Sequence, residues 1–138
     1  MKDWKPGDCA FEPVIHPTAR IGSFSTVDAG FDSRTCVGPR VFLMTKTHIG
    51  HDAVIGEDSV IAPFGCVGGY ARLGKRVKMG MGAIILPFIR VGDDAVIGAG
   101  AVVTKDVPEG AVMVGNPARQ IEKRAVTTVA EKFKNRSA

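Results

Sequence analysis

The chain has 138 residues, 45% of them hydrophobic, 23% charged and 7% aromatic, with a formal net charge of +4 at pH 7. That length fits one domain, and that balance excludes a disordered chain. The positive charge suits a polyphosphate ligand, but no basic cluster with interleaved aromatics marks nucleic-acid binding, and no apolar run is long enough for a signal peptide or a membrane span.

Taken in order, residues 1–12 carry Trp4 and Phe11 and are expected to form an N-terminal cap, because the end of a repeat array must be covered. Aliphatic residues then recur at every sixth position. They begin with Ile15, Ile21 and Val27 and resume after a step of ten with Val37, Leu43, Ile49, Ile55, Ile61, Val67, Leu73, Met79, Ile85, Val91, Ile97 and Val103. Two residues before them stand mostly small side chains, such as Ala53, Ser59, Gly65, Ala71 and Ala83, and Gly usually follows them. This period sets the architecture. Six is a multiple of the two-residue strand period, so the small and aliphatic positions share one side of a short strand. A 3.6-residue helix or a heptad would lose the phase. The Gly is expected to permit the bend that ends each strand. The pattern predicts an all-β solenoid, a parallel β-helix, over residues 13–118. Past Arg119 the pattern changes: Ile121, Ala125, Val129 and Phe133 recur every four residues, which predicts a short amphipathic C-terminal helix within 119–138. Cys9, Cys36 and Cys66 are odd in number and lack metal-ligand spacing, so free thiols in a reducing, cytoplasmic compartment are expected.

On this repeat, on the segment Thr47-His48-Ile49-Gly50-His51-Asp52 and on the stretch from Gly98 through Pro108 to Arg119, the chain resembles the hexapeptide-repeat acyltransferases. The resemblance is closest to the UDP-N-acetylglucosamine acyltransferases and to sugar O- and N-acetyltransferases of the sialic acid and bacillosamine type. It implies a left-handed parallel β-helix, three hexamers to a triangular coil and about five coils in all, and so an eighteen-residue stacking of each position on the next coil. The outward position before each aliphatic then gives three faces. Phe42, Val60, Lys78 and Val96 lie on the first, His48, Cys66, Ile84 and Val102 on the second, and Val54, Arg72 and Arg90 on the third. The first two are largely apolar. Apolar stripes of this kind mark contacts, and the family is trimeric, so a homotrimer with active sites between subunits is expected.

The resemblance also implies roles. His51 matches the family's general base, which takes a proton from the acceptor amine or hydroxyl as it attacks a thioester. Gly69, one coil below, would present its backbone N–H to the tetrahedral oxyanion. Asp52 would orient an imidazole or bind the acceptor. Adjacent residues rarely pair side chain to side chain, so an acid from elsewhere is the alternative to Asp52 as the group that orients His51. His48 reads equally as an acceptor contact or an interface residue. Tyr70 stands where UDP-N-acetylglucosamine acyltransferases carry His and is placed on the acceptor side. The ten-residue step leaves an insertion over residues 28–36, and loops leaving a rigid scaffold often carry binding function, so Asp32, Ser33 and Arg34 are candidate acceptor contacts. His16 is read as a corner residue of the first coil. Acetyl-CoA is the expected donor, with Gly98 and Ala99 allowing its close approach and Lys105 and Arg119 meeting its phosphates. No metal is expected: the γ-class carbonic anhydrases share the fold but need two His five residues apart, and Gly56 and Ala53 stand five residues after His51 and His48. The expected function is acetyl transfer to an amino or hydroxyl group of a sugar or nucleotide sugar. The alternatives are a non-catalytic hexapeptide-repeat scaffold and an acyltransferase using an acyl-carrier protein.

Overall fold

A computed structural model describes residues 11–122. Fifteen two-residue strands follow one another at the hexamer spacing. The first coil holds β1 (Val14–Ile15), β2 (Arg20–Ile21) and β3 (Thr26–Val27), and the second holds β4 (Cys36–Val37), β5 (Phe42–Leu43) and β6 (His48–Ile49). The third comprises β7 (Val54–Ile55), β8 (Val60–Ile61) and β9 (Cys66–Val67), and the fourth β10 (Arg72–Leu73), β11 (Lys78–Met79) and β12 (Ile84–Ile85). The fifth has β13 (Arg90–Val91), β14 (Val96–Ile97) and β15 (Val102–Val103). Each strand from β4 to β12 pairs in parallel with the strand eighteen residues on, as in His48↔Cys66 and Arg72↔Arg90; across the insertion the step is longer, and Thr26 pairs His48. Three sheets result. The first face is β2-β5-β8-β11-β14, the second β3-β6-β9-β12-β15 and the third β1-β4-β7-β10-β13.

The core is the inward stripe that the sequence marks. All twelve aliphatics from Val37 to Val103 are no more than 3% exposed. The small positions beside them are buried as well, and Thr47 and Ser59 spend their hydroxyls inside: Ser59 Oγ–H donates to the Gly74 carbonyl at 3.0 Å. One large and one small residue per hexamer suffice because each coil's backbone is satisfied by the next.

Glycine does a different job from the one expected. The left-handed backbone that turns each corner falls three residues after the aliphatic, at Arg40, Lys46, Asp52, Asp58, Phe64, Tyr70 and onwards, with φ of 54–62° at these positions. Most of these residues are not glycine. The glycine directly after the aliphatic instead permits close stacking of coils: a Cβ at Gly56 would lie 2.4 Å from the Gly74 carbonyl oxygen, and one at Gly50 2.7 Å from the Gly69 nitrogen.

Both ends depart from the repeat. The step from Val103 to Val107 is four, yet Val107 bridges Val91 in parallel, and β16 (Val112–Val114) pairs with β14. A sixth coil is thus begun beyond the five expected. β17 (Arg119–Ile121) then folds back antiparallel on β16 and closes the first-face sheet. Arg119, Gln120 and Ile121 are therefore extended, not the first turn of the expected helix, whose remaining positions lie outside the described residues. Of the expected N-terminal cap, Phe11 bridges Gly30; Trp4 lies outside the described residues. Among the described residues no helix is long and apolar enough to cross a membrane.

Candidate active site

The corner between the second and third faces carries a dense polar network. It is built where β6 ends. His51 and Asp52 form the turn into β7, and Asp52 takes the left-handed conformation with φ 58°. That backbone brings its side chain round beside its neighbour, so that His51 Nδ1 and Asp52 Oδ2 lie 2.9 Å apart. The carboxylate beside the imidazole is thus that of the adjacent residue. Adjacent side chains diverge in a strand, but not across a left-handed corner.

Asp52 is fully buried and does more than hold the imidazole. Its Oδ2 also accepts the Phe31 N–H at 2.9 Å, and its Oδ1 accepts the N–H groups of Asp32 and Ser33 at 3.0 and 2.5 Å and the Ser33 hydroxyl at 3.0 Å. Its own N–H donates to Thr35 Oγ1 at 2.8 Å. Burial alone would raise this carboxyl's pKa, but the hydrogen bonds from Phe31, His51 and Ser33 outweigh burial and hold it well below the usual carboxylate range. An ionised carboxylate only accepts, so Nδ1 of the imidazole is the donor in this pair, and in the neutral ring the lone pair is then on Nε2. Gly30 makes the loop possible, since a Cβ there would fall 1.6 Å from the Ser33 carbonyl oxygen.

The free edge of the imidazole lies over Gly69, one coil on. A Cβ at Gly69 would sit 2.7 Å from His51 Nε2. The Tyr70 N–H donates to the His51 carbonyl at 2.9 Å, which locks the two corners together. Aromatic rings line the imidazole: Phe31 meets it edge-on at 4.7 Å and Tyr70 at 5.1 Å, and Tyr70 stacks on Phe88 at 4.7 Å with planes 4° apart. The Tyr70 hydroxyl donates to Asp32 Oδ2, which pushes the phenol up to about 12. Phe31 and Phe88 were not singled out in the sequence. Phe31 stands in the insertion, and Phe88 is Tyr70's eighteen-residue successor, so its place was readable from the period.

The corner thus unites His51, Asp52, Gly69, Tyr70 and Asp32. His48 lies close by on the second face, half-exposed, with Nδ1 2.8 Å from Thr26 Oγ1 and Nε2 3.7 Å from Asp28 Oδ2. Cys66 is its neighbour in register, and burial, then Asp28, pushes its thiol up. Arg34 is exposed at the far end of the loop. His16 is exposed and held locally by Thr18, as fits a corner residue. The expected donor residues are spread out. Lys105 continues the His51 corner two coils beyond Gly69. Gly98 and Ala99 follow β14 on the other corner of the second face, where with Val60, Met79 and Val96 they line an apolar groove of about 500 Å³. Arg119 lies on β17, in the first-face sheet, because the C-terminal hairpin folds that way. Among the described residues no group of three or more His, Cys, Asp or Glu side chains could hold a metal ion.

Comparisons with known proteins agree with this architecture. Residues 70–105 match the family described as bacterial transferase hexapeptide (six repeats). A serine acetyltransferase of Helicobacter pylori is 39% identical over 111 residues, 79% of this chain and 60% of that protein. Among solved structures, the UDP-N-acetylglucosamine O-acyltransferase (LpxA) of Moraxella catarrhalis superposes with a TM-score of 0.74 at 26% identity, over 97% of this chain and 53% of that one. A serine acetyltransferase in complex with CoA gives 0.54 at 34% identity, over 78% of this chain and 41% of that one. In repeat, in left-handed β-helical fold and in sequence, the chain is similar to the hexapeptide-repeat acyltransferases. It spans 60% or less of the length of these relatives.

Proposed function

We propose that this protein is an acetyltransferase that moves an acetyl group from acetyl-CoA to an amine or hydroxyl of a small polar acceptor, with a sugar or nucleotide sugar as the leading class. The observation that carries the reading is the His51–Asp52 pair. A buried, ionised carboxylate fixes the Nδ1–H tautomer and leaves Nε2 as a base over Gly69. In the reaction, Nε2 takes the proton of the acceptor N–H or O–H as that atom attacks the thioester carbonyl carbon. The new C–N or C–O bond forms and the carbonyl π electrons move to oxygen. The Gly69 N–H, which makes no hydrogen bond among the described residues, is the donor for that oxyanion. Collapse of the intermediate breaks the C–S bond, and the imidazolium returns its proton to the departing CoA thiolate. Asp52 positions the imidazole throughout and stabilises its charged form.

The donor is supported by a similar serine acetyltransferase structure that contains CoA. The relatives named above are named for different acceptors, an amino acid in one case and UDP-N-acetylglucosamine in the other. The test is thiol release from acetyl-CoA in the presence of amino sugars, nucleotide-linked amino sugars and L-serine, each with wild type and His51→Ala. Acceptor-dependent release that His51→Ala abolishes is the expected result. Release that survives in His51→Ala would remove the histidine from the mechanism. A well-folded wild type that neither binds nor cleaves acetyl-CoA would return the chain to the scaffold or acyl-carrier readings. A homotrimer with sites between subunits belongs to the same proposal, because the His51 corner and the Gly98–Ala99 groove flank one face from opposite edges.

A further inference from the structure

Directly beside the His51 corner, on the third face, two arginines stand one above the other. Arg72 and Arg90 are Cα partners in the parallel pair β10–β13 and both point outwards. Their side chains are therefore about 4.8 Å apart at the root. Like charges placed directly opposite each other across strands are destabilising. On the corner between the third and first faces charges are paired: Arg40 bonds Asp58 and Glu57, Arg76 bonds Asp94, and Lys75 bonds Glu57. Among the described residues neither Arg72 nor Arg90 has a carboxylate within ion-pairing distance. Asp106 accepts the Arg90 backbone N–H at 2.8 Å rather than its guanidinium. Arg72 is held in place by a hydrogen bond from its guanidinium to the Asp52 carbonyl. The two side chains, with Leu73, Val91 and Asp106, border an open groove of about 700 Å³, within the size range of small-molecule sites.

We propose that Arg72 and Arg90 form a diphosphate subsite for the acceptor, so that the acceptor is a nucleoside diphosphate-linked molecule whose amine or hydroxyl reaches His51. This rests on the acetyltransferase reading of the same corner. Two guanidinium forks one strand spacing apart can each take one phosphate bidentately, whereas a lone carboxylate would saturate only one of them. The donor's own diphosphate is the other source of this chemistry, and the position of Arg72 argues against it. Arg72 touches the backbone of Asp52, next to the reacting imidazole. In a CoA thioester the diphosphate is separated from the sulfur by the whole pantetheine arm, so a donor with its thioester at His51 has its phosphates far from Arg72.

The experiment is calorimetric titration of inorganic pyrophosphate, inorganic phosphate, UDP and acetyl-CoA, each alone, into wild type and Arg72→Met/Arg90→Met. Oligomeric mass and melting temperature are measured for both. No turnover is needed, so the result does not depend on the transferase reading. We expect pyrophosphate and UDP to bind wild type more tightly than phosphate, to weaken with added salt, and to lose at least tenfold in the variant, with acetyl-CoA affinity unchanged. Equal pyrophosphate and UDP affinity in the two proteins, or absence of binding to wild type, would overturn the proposal. A loss confined to acetyl-CoA would assign the arginines to the donor and equally overturn it. A variant that changes oligomeric mass would assign them to a subunit contact; the single variant Arg90→Met, whose guanidinium makes no hydrogen bond within the described residues, then repeats the titration. Loss of pyrophosphate binding alongside a wild type that ignores acetyl-CoA would leave the anion subsite standing and remove the acetyltransferase reading.

Discussion

Asp52 shows how much one residue can decide. The sequence marks His51 by its match to a family base, but it does not reveal what holds the ring, because spacing arguments treat neighbouring side chains as divergent. The missing fact is the left-handed φ at Asp52, and a sequence signal for it exists: residue 52 lies in the column 40, 46, 52, 58, 64, 70 in which every corner turns. Replacing Asp52 with Asn keeps the shape and removes the charge that fixes the Nδ1–H tautomer. We expect kcat for acetyl transfer to fall roughly 10²-fold, in the range of a general-base contribution, as steady-state kinetics would show. Gly69→Ala tests the other side of the ring. The three atoms its Cβ would meet first, at 2.7, 2.8 and 3.1 Å, all belong to the imidazole, so it is the ring that must move. The expected outcome is an activity loss of about 10²-fold or more with a melting temperature within a few degrees of wild type. Because the backbone N–H is retained in this variant, the loss reports imidazole displacement rather than a missing oxyanion donor. An unchanged kcat would show that the imidazole does not act from this position.

Among the elements, the strands are legible in the sequence, whereas the role of the glycines is not. The period of six located every strand from β4 to β15 because inward position, strand length and coil length are locked together. It could not show that corners use non-glycine residues in the left-handed region, since nothing in composition distinguishes a bend from a close approach. The sixth coil was hidden by the four-residue step at Val103, and the strand at Arg119–Ile121 by an apolar period of four that tertiary pairing with β16 overrides. The corrected role predicts that Gly56→Ala, which drives a Cβ to 2.4 Å from the Gly74 carbonyl oxygen, destabilises the fold by about 3 kcal/mol through overpacking, measurable by denaturant unfolding. A glycine whose only duty was a bend with negative φ would tolerate Ala. The insertion over residues 28–36 behaves as an element too, pinned by one carboxylate. Its folded pKa is depressed, so its contribution is complete above the ordinary carboxylate range and is lost only as pH falls through the lower folded value. Hydrogen exchange at the Phe31, Asp32 and Ser33 amides is therefore expected to stay protected down to about pH 3, where an ordinary Asp is already mostly protonated, and to lose protection at any pH in Asp52→Ala.

For the whole molecule, the distribution of outward residues is the remaining question. The corner that joins the first and third faces carries the paired charges of Arg40, Asp58, Arg76 and Asp94, which are at home in water. The second face and its edges carry Ile84, Leu86, Met81 and Phe88, each between 37% and 69% exposed. A continuous apolar strip of this kind on a rigid prism is costly in solvent and marks a contact. His48 and Cys66 lie on the same face, so a neighbouring chain seated there would bring its own groups up to the His51 corner. Such a neighbour would bridge the His51 column and the Gly98–Ala99 groove, which one chain holds apart. The expected mass in solution is three chains of 14.6 kDa, and Ile84→Glu is expected to lower it to one while the β-sheet circular dichroism of the coils survives. Acetyl transfer should disappear in that variant although His51 and Asp52 are untouched. If the monomer retained full activity, the corner would be complete within one chain, and the apolar face would need another occupant.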